Sequence, residues 1–154
     1  ALGVTGVDQL AAKKQASGGR GSIGFSGQLT KFRYLKAGGA VQFRELNTRL
    51  LVEILARGCP ILTGLSATYL YRRKRELGPD DDDIRGSAMG HFVVICGYYP
   101  RSDRFVVRDP SPHIPFSRSG RYSVPSDRLI NSILLGDITY DAVLLVLNGR
   151  KHIT

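Results

Sequence analysis

The sequence predicts an α+β domain, an antiparallel sheet packed with helices, on three observations. Residues 47–58, NTRLLVEILARG, together with the preceding Leu46, place Leu46, Leu50, Leu51, Ile54 and Leu55 on one helical face. Four apolar runs of strand length, at 59–66, 91–98, 104–109 and 140–147, follow it, and the middle two are joined by a short polar turn. A second amphipathic segment, 126–136, comes just before the last run. Helices first, then strands joined through a hairpin, pack as a sheet with helices to one side.

Each element has a local reason. TGVDQLAAKKQ (5–15) has Thr5 and Asp8 at capping-box spacing and predicts a short helix. ASGGRGSIGFSG (16–27) is glycine-rich and predicts a loop; it has neither GxxxxGK[ST] nor a strand-linked GxGxxG, so a phosphate cradle is not expected. FRYLKAGG and AVQFREL are ambiguous. The helix at 47–58 stops at Gly58, a residue suited to the left-handed C-terminal position. CPILTGLS (59–66) predicts a buried strand with Pro60 confined to its start. Residues 67–90 and 110–126 are expected as loops, SDRLINSILLG (126–136) as a helix ending at Gly136, and YDAVLLVL (140–147) as a buried strand. With no internal repeat and no convincing linker, residues 1–154 are expected to form a single domain.

Composition narrows the function class. The chain has 154 residues, 42% hydrophobic and 23% charged, the balance of a globular protein able to bury a core. No apolar run is long enough to span a bilayer, and the first residues lack the plan of a signal peptide. Cys59 and Cys96 lie in apolar strand contexts, which suits buried thiols in a reducing, cytoplasmic compartment. Lysine and arginine number 22 against 13 acids, a net charge of +9. The densest basic cluster, YRRKRE (71–76), is nearly cancelled by DDDD (80–83), and no nucleic-acid-binding motif surrounds it, so nucleic acid is not the expected partner. The acid run lacks the spaced ligands and turn glycine of a calcium loop, and His91, His113 and His152 have no metal-ligand spacing. No metal or cofactor is expected.

The informative stretch is GHFVVICGYYPRSDRFVVRDP (90–110). Alternation puts His91, Val93 and Ile95 on one strand face and Phe92, Val94 and Cys96 on the other. On the return strand Phe105, Val107 and Asp109 share a face. A turn centred near residue 100 or 101 brings His91 opposite Asp109 to within a residue or so, where a carboxylate can orient an imidazole. Spacing alone leaves two readings: an acid–base pair, or a satisfied strand-end histidine beside an Asp-Pro turn opener.

Taken with LVEILARGCPILTGLS ahead of it, the stretch resembles the back half of papain-like cysteine peptidases of the bacteriocin-processing, double-glycine-leader type. The pattern of that family is an amphipathic helix and G-x-P entering a strand, matched by Gly58 and Pro60; a G-H-[FYW]-V-V strand, matched by Gly90, His91, Phe92, Val93 and Val94; and a hairpin partner ending in D-P, matched by Asp109 and Pro110. The resemblance covers residues 45–147. It implies a papain-like fold and a thiol-dependent hydrolase acting on a peptide or amide bond, with His91 as general base and Asp109 as the residue that orients it. Gly90, Tyr69 and Tyr71 are the candidate substrate contacts, and Arg72, Arg73 and Arg75 would favour acidic side chains.

The sequence departs from the family at the nucleophile. There the catalytic cysteine starts the first long helix, with a glutamine ahead of it; here no cysteine precedes Cys59. Cys96 is five residues along the strand from His91, about 17 Å, and on the opposite face. Cys59 falls where the family has no catalytic group. The expectation is a papain-like domain incomplete at its N-terminus, whose nucleophile comes from an upstream segment or a second chain; the chain's start at Ala1 agrees with this. The alternative is an inactive papain-like module that binds a peptide or partner protein.

Overall fold

The computed structural model describes residues 3–5, 34–112, 114–136 and 142–148. Its centre is a seven-stranded sheet in the order β2-β1-β9-β3-β6-β7-β8. The strands are β1 (Gly3–Thr5), β2 (Ala40–Gln42), β3 (Ile61–Ser66), β6 (Gly90–Tyr99), β7 (Arg104–Arg108), β8 (Arg121–Pro125) and β9 (Leu144–Val146). All neighbours are antiparallel except β1 and β2 at one edge. A small hairpin, β4 (Glu76–Leu77) with β5 (Asp80–Asp81), stands apart from it. The fold is thus mixed α/β with an antiparallel sheet and helices.

Among the described residues the sheet is packed by the α-helices α1 (Thr48–Ala56), α2 (Ala67–Tyr71) and α3 (Ser126–Leu134). The Asn47 side chain caps α1 by accepting from Leu50 N at 2.9 Å, and Gly58 follows the helix with φ +73°, a conformation open to glycine. Leu50, Leu51 and Ile54 go fully into the core, while Leu46 and Leu55 only pack against its rim. The core lies on the face bearing Ile61, Leu65, Val93, Ile95, Phe105 and Val107, where α3 supplies Leu129 and Ile133. Burying each such side chain stabilises by about 1.5–3 kcal/mol, so this face is the rigid floor from which His91 projects.

Three expectations are corrected, at 67–90, at 110–126 and at Cys96. The helix expected over 5–15 lies outside the described residues, except Thr5, which ends β1. The segment 67–90 is no plain loop: it opens with α2 and contains β4 and β5. The segment 110–126 likewise holds β8, where RYSVP buries Tyr122 and Val124 in alternation. Cys59 is buried as expected and its thiol meets Asn148 Oδ1 at 2.8 Å. Cys96 is exposed, not buried. It sits at a β-bulge between Ile95 and Gly97, on the face where Phe92 is also exposed.

Candidate active site

The β6–β7 ladder sets the site. Its last pair is Val94 with Arg108, so Asp109 continues opposite Val93 and lies diagonally from His91, not directly across. The offset of two preserves the face, because side chains alternate with period two. The long imidazole spans the diagonal, and His91 Nε2 meets Asp109 Oδ1 at 2.7 Å. His91 keeps 22% of its side-chain surface in solvent, whereas the Asp109 side chain keeps none.

Asp109 receives three more donors. Tyr71 Oη donates to Oδ2 at 2.6 Å and Tyr122 Oη to the same oxygen at 2.7 Å. The Ser111 backbone N–H donates to Oδ1 at 3.0 Å, closing an Asx-type turn over Pro110. Burial pushes the Asp109 carboxyl up, but the bonds from Tyr71, the Ser111 amide, His91 and Tyr122 outweigh it and hold the group below its ordinary value. The same contacts keep the phenols protonated: burial first, then the bond to Asp109, raises both Tyr71 and Tyr122. The centre is therefore an ionised carboxylate fixed by neutral hydroxyls. An ionised carboxylate can only accept, so Nε2 is assigned as the donor of this bond and Nδ1 lies outside it. Among the described residues Asp109 is the hydrogen-bond partner of the ring, and it engages Nε2 alone.

Local sequence explains how the donors arrive. Ser66 Oγ caps α2 through Tyr69 N, which gives that serine a structural task. Ala67 N bonds Met89 O at 2.7 Å and Met89 N bonds Thr68 Oγ1 at 2.8 Å, pinning α2 to the residue before Gly90. That pin carries Tyr71 alongside His91, with ring centroids 6.4 Å apart. On the other side Asp109 N bonds Gly120 O at 2.8 Å, and Gly120 has φ +69°. A Cβ there would meet Asp109 O at 2.6 Å, so only glycine lets β8 approach and deliver Tyr122. Phe116 packs edge-on to both tyrosines, at 5.7 Å and 5.1 Å.

The expected substrate contacts separate. Gly90 is half-buried and pairs with Ser66. Tyr69 is exposed and lines a cleft of about 640 Å³ on the α2–α3 side. Tyr71 does not reach out to a substrate: it is buried and its hydroxyl is committed to Asp109. Neither His91 nor Asp109 lines that cleft. The sequence analysis does not single out Tyr122, Ser111 or Gly120; the alternation of Tyr122 with Val124 is the signal for β8.

Both cysteines are remote from His91. Leu65 pairs with His91 and Ile61 with Ile95, so Cys59, ahead of Ile61, is more than four strand residues away, at least about 13 Å. Cys96 lies at the same far end and on the other face. Among the described residues no group of three or more His, Cys, Asp or Glu is placed to hold a metal, and no helix is long and apolar enough to cross a membrane. His113 and His152 lie outside the described residues.

No protein-family model matches the sequence, and no curated protein matches it. A solved structure from Bacillus anthracis, described as a C39-like peptidase, is similar with a TM-score of 0.39 and 18% identity over 67% of this chain. The match covers 48% of that protein, so the chain spans about half its length. At that level of likeness neither activity nor substrate transfers, and the chemistry rests on the side chains themselves.

Proposed function

We propose that His91 and Asp109 are the base and its orienting carboxylate in a papain-like, cysteine-peptidase-like hydrolase domain acting on a peptide or amide bond. One observation carries this reading: a buried carboxylate with four donors holds a part-exposed imidazole by one nitrogen and leaves the other open. A purely structural histidine needs no such clamp. The nucleophilic thiol comes from outside these 154 residues, from an upstream segment or a second chain, because Cys59 and Cys96 are the sequence's two cysteines and both are out of reach.

The chemistry follows from Nδ1. It takes the thiol proton as sulfur attacks the carbonyl carbon, and returns it to the leaving nitrogen as the C–N bond breaks, forming a thioester. Water then attacks the thioester carbonyl and gives a proton to Nδ1; that proton passes to sulfur as the acid is released. Asp109 stays ionised throughout and stabilises the imidazolium. The free thiols of Cys59 and Cys96 fit a reducing, cytoplasmic setting.

A second reading has its own observation. With both cysteines remote from His91, the domain can equally be a module that binds a peptide or partner protein without cleaving it. Assay of the protein as it occurs naturally, against a peptide library, separates the two. The hydrolase reading expects turnover that stops on thiol alkylation and falls at least about 10²-fold in His91→Ala. Turnover unaffected by His91→Ala would overturn it. Peptide affinity without turnover would establish the binding module.

A further inference from the structure

The 640 Å³ cleft between the end of α2, the following loop and the face of α3 has a charge character the hydrolytic pair does not explain. It is lined by four arginines, Arg72, Arg73, Arg75 and Arg128, against one acidic residue, Asp83. Asp83 is already engaged, since its Oδ1 accepts from Arg75 N at 3.0 Å. Elsewhere arginines find carboxylates: Arg44 pairs with Glu53 at 3.1 Å and Arg85 with Asp82 at 2.6 Å. Among the described residues Arg72, Arg75 and Arg128 make no ion pair. Like charges gathered in a concave wall repel one another, and an anion entering the cleft relieves that repulsion.

Two further facts set the ligand class. Tyr69 and Leu135, both exposed, share the wall with the arginines. A site that is part apolar and part cationic fits an acidic side chain next to an apolar one better than it fits a phosphate backbone. The cleft also borders the start of the strand that carries His91. Ala88 lines it three residues before His91, about 10 Å along the chain, and Ser66, also in its wall, pairs with Gly90. Arg73 joins the two places directly: its guanidinium lies 5.9 Å from the centroid of the Tyr71 ring, whose hydroxyl holds Asp109. Arg72 takes φ +56°, an unfavourable backbone state for a non-glycine residue, where the chain turns from α2 toward the cleft.

We infer that this cleft binds peptide segments carrying Asp or Glu beside an apolar residue, and that it places the acid a few residues from the bond His91 addresses. The second half of that statement rests on the proposed function; the binding half does not. Fluorescence anisotropy with a labelled Leu-Glu-Glu-Leu peptide and its Leu-Gln-Gln-Leu counterpart tests both. The acidic peptide should bind at least about tenfold more tightly, with affinity falling as salt rises from 50 to about 200 mM. The combined change Arg72→Gln, Arg75→Gln and Arg128→Gln should erase the difference, and Arg128→Gln alone, on the face of α3, should reduce it. His91→Ala should leave affinity unchanged while removing any turnover. Thus acid preference in a wild-type protein that shows no turnover, or turnover that persists in His91→Ala, sinks only the hydrolase, and turnover without acid preference sinks only the cleft. Equal affinity for the two peptides, or a preference that survives both sets of arginine changes, would overturn the inference. So would a single-stranded DNA oligomer that displaces the acidic peptide and binds more tightly through the same arginines.

Discussion

Asp103 and Asp109 sit at opposite ends of β7, and each accepts from a tyrosine hydroxyl. Tyr98 Oη reaches Asp103 Oδ1 at 2.7 Å, and Ser126 Oγ donates to the same oxygen. Both carboxyls are held below their ordinary value, Asp103 by Ser126 and then Tyr98, Asp109 by its donors against the push of burial. Yet only one is proposed as a site. Asp103 is exposed, takes φ +47° in the turn, and ties that turn to the start of α3, where Ser126 N also bonds its carbonyl at 3.1 Å. Asp109 has no solvent to fall back on, and one of its donors is a histidine with a nitrogen to spare. Similar hydroxyl donors make a lock at the surface and, once buried around an imidazole, a potential proton-transfer centre.

The comparison breaks most readily at Asp109. Asp109→Ala strands two buried hydroxyls and should cost roughly 3–5 kcal/mol, read from urea unfolding at pH 7. A cost below about 1 kcal/mol would show that the clamp contributes little to the fold. Asp109→Asn should cost less, because the amide oxygen can still accept from one phenol. Next in size, Tyr122→Phe and Tyr71→Phe should each cost about 1–2 kcal/mol, since either leaves the carboxylate three donors.

The pH dependence sharpens the contrast. Asp109 has a depressed folded value, so its stabilisation is complete above the unfolded carboxyl range, about 3.9, and is lost as pH falls through the folded value below that. Tyr71 and Tyr122 have raised values, so their contribution is complete below about 10 and is lost as pH rises through their higher folded values. Thermal melts of Asp109→Asn should therefore show a shallower acid limb than wild type, and ultraviolet titration should find these two phenols ionising only with alkaline unfolding. An unchanged acid limb would remove Asp109 from the account. The smallest effect belongs to Asp103→Asn. Asparagine tolerates the left-handed conformation and keeps an acceptor, so the melting temperature should drop less than in any Asp109 variant. A larger drop would reverse the ranking of the two ends.

The sequence alone determined whatever depends on short range. The amphipathic spacing of Leu50, Leu51 and Ile54, the stop at Gly58 and the apolar runs of β3, β6, β7 and β9 predicted α1 and four of the sheet's seven strands. Period-two alternation predicted that His91 and Asp109 share a face, and an even register offset could not alter that. Tertiary structure decided what gathers around them. Tyr71 comes from 38 residues before Asp109 and Tyr122 from 13 after it, and nothing local to either tyrosine says which face of which element meets the carboxylate. α2 is five residues long, too short for a helical period to show, and β8 hides its alternation between an arginine and a proline. The exposure of Cys96 was hidden too, because a bulge and an uncovered sheet face are properties of how strands pair and pack, not of the apolar run that contains them.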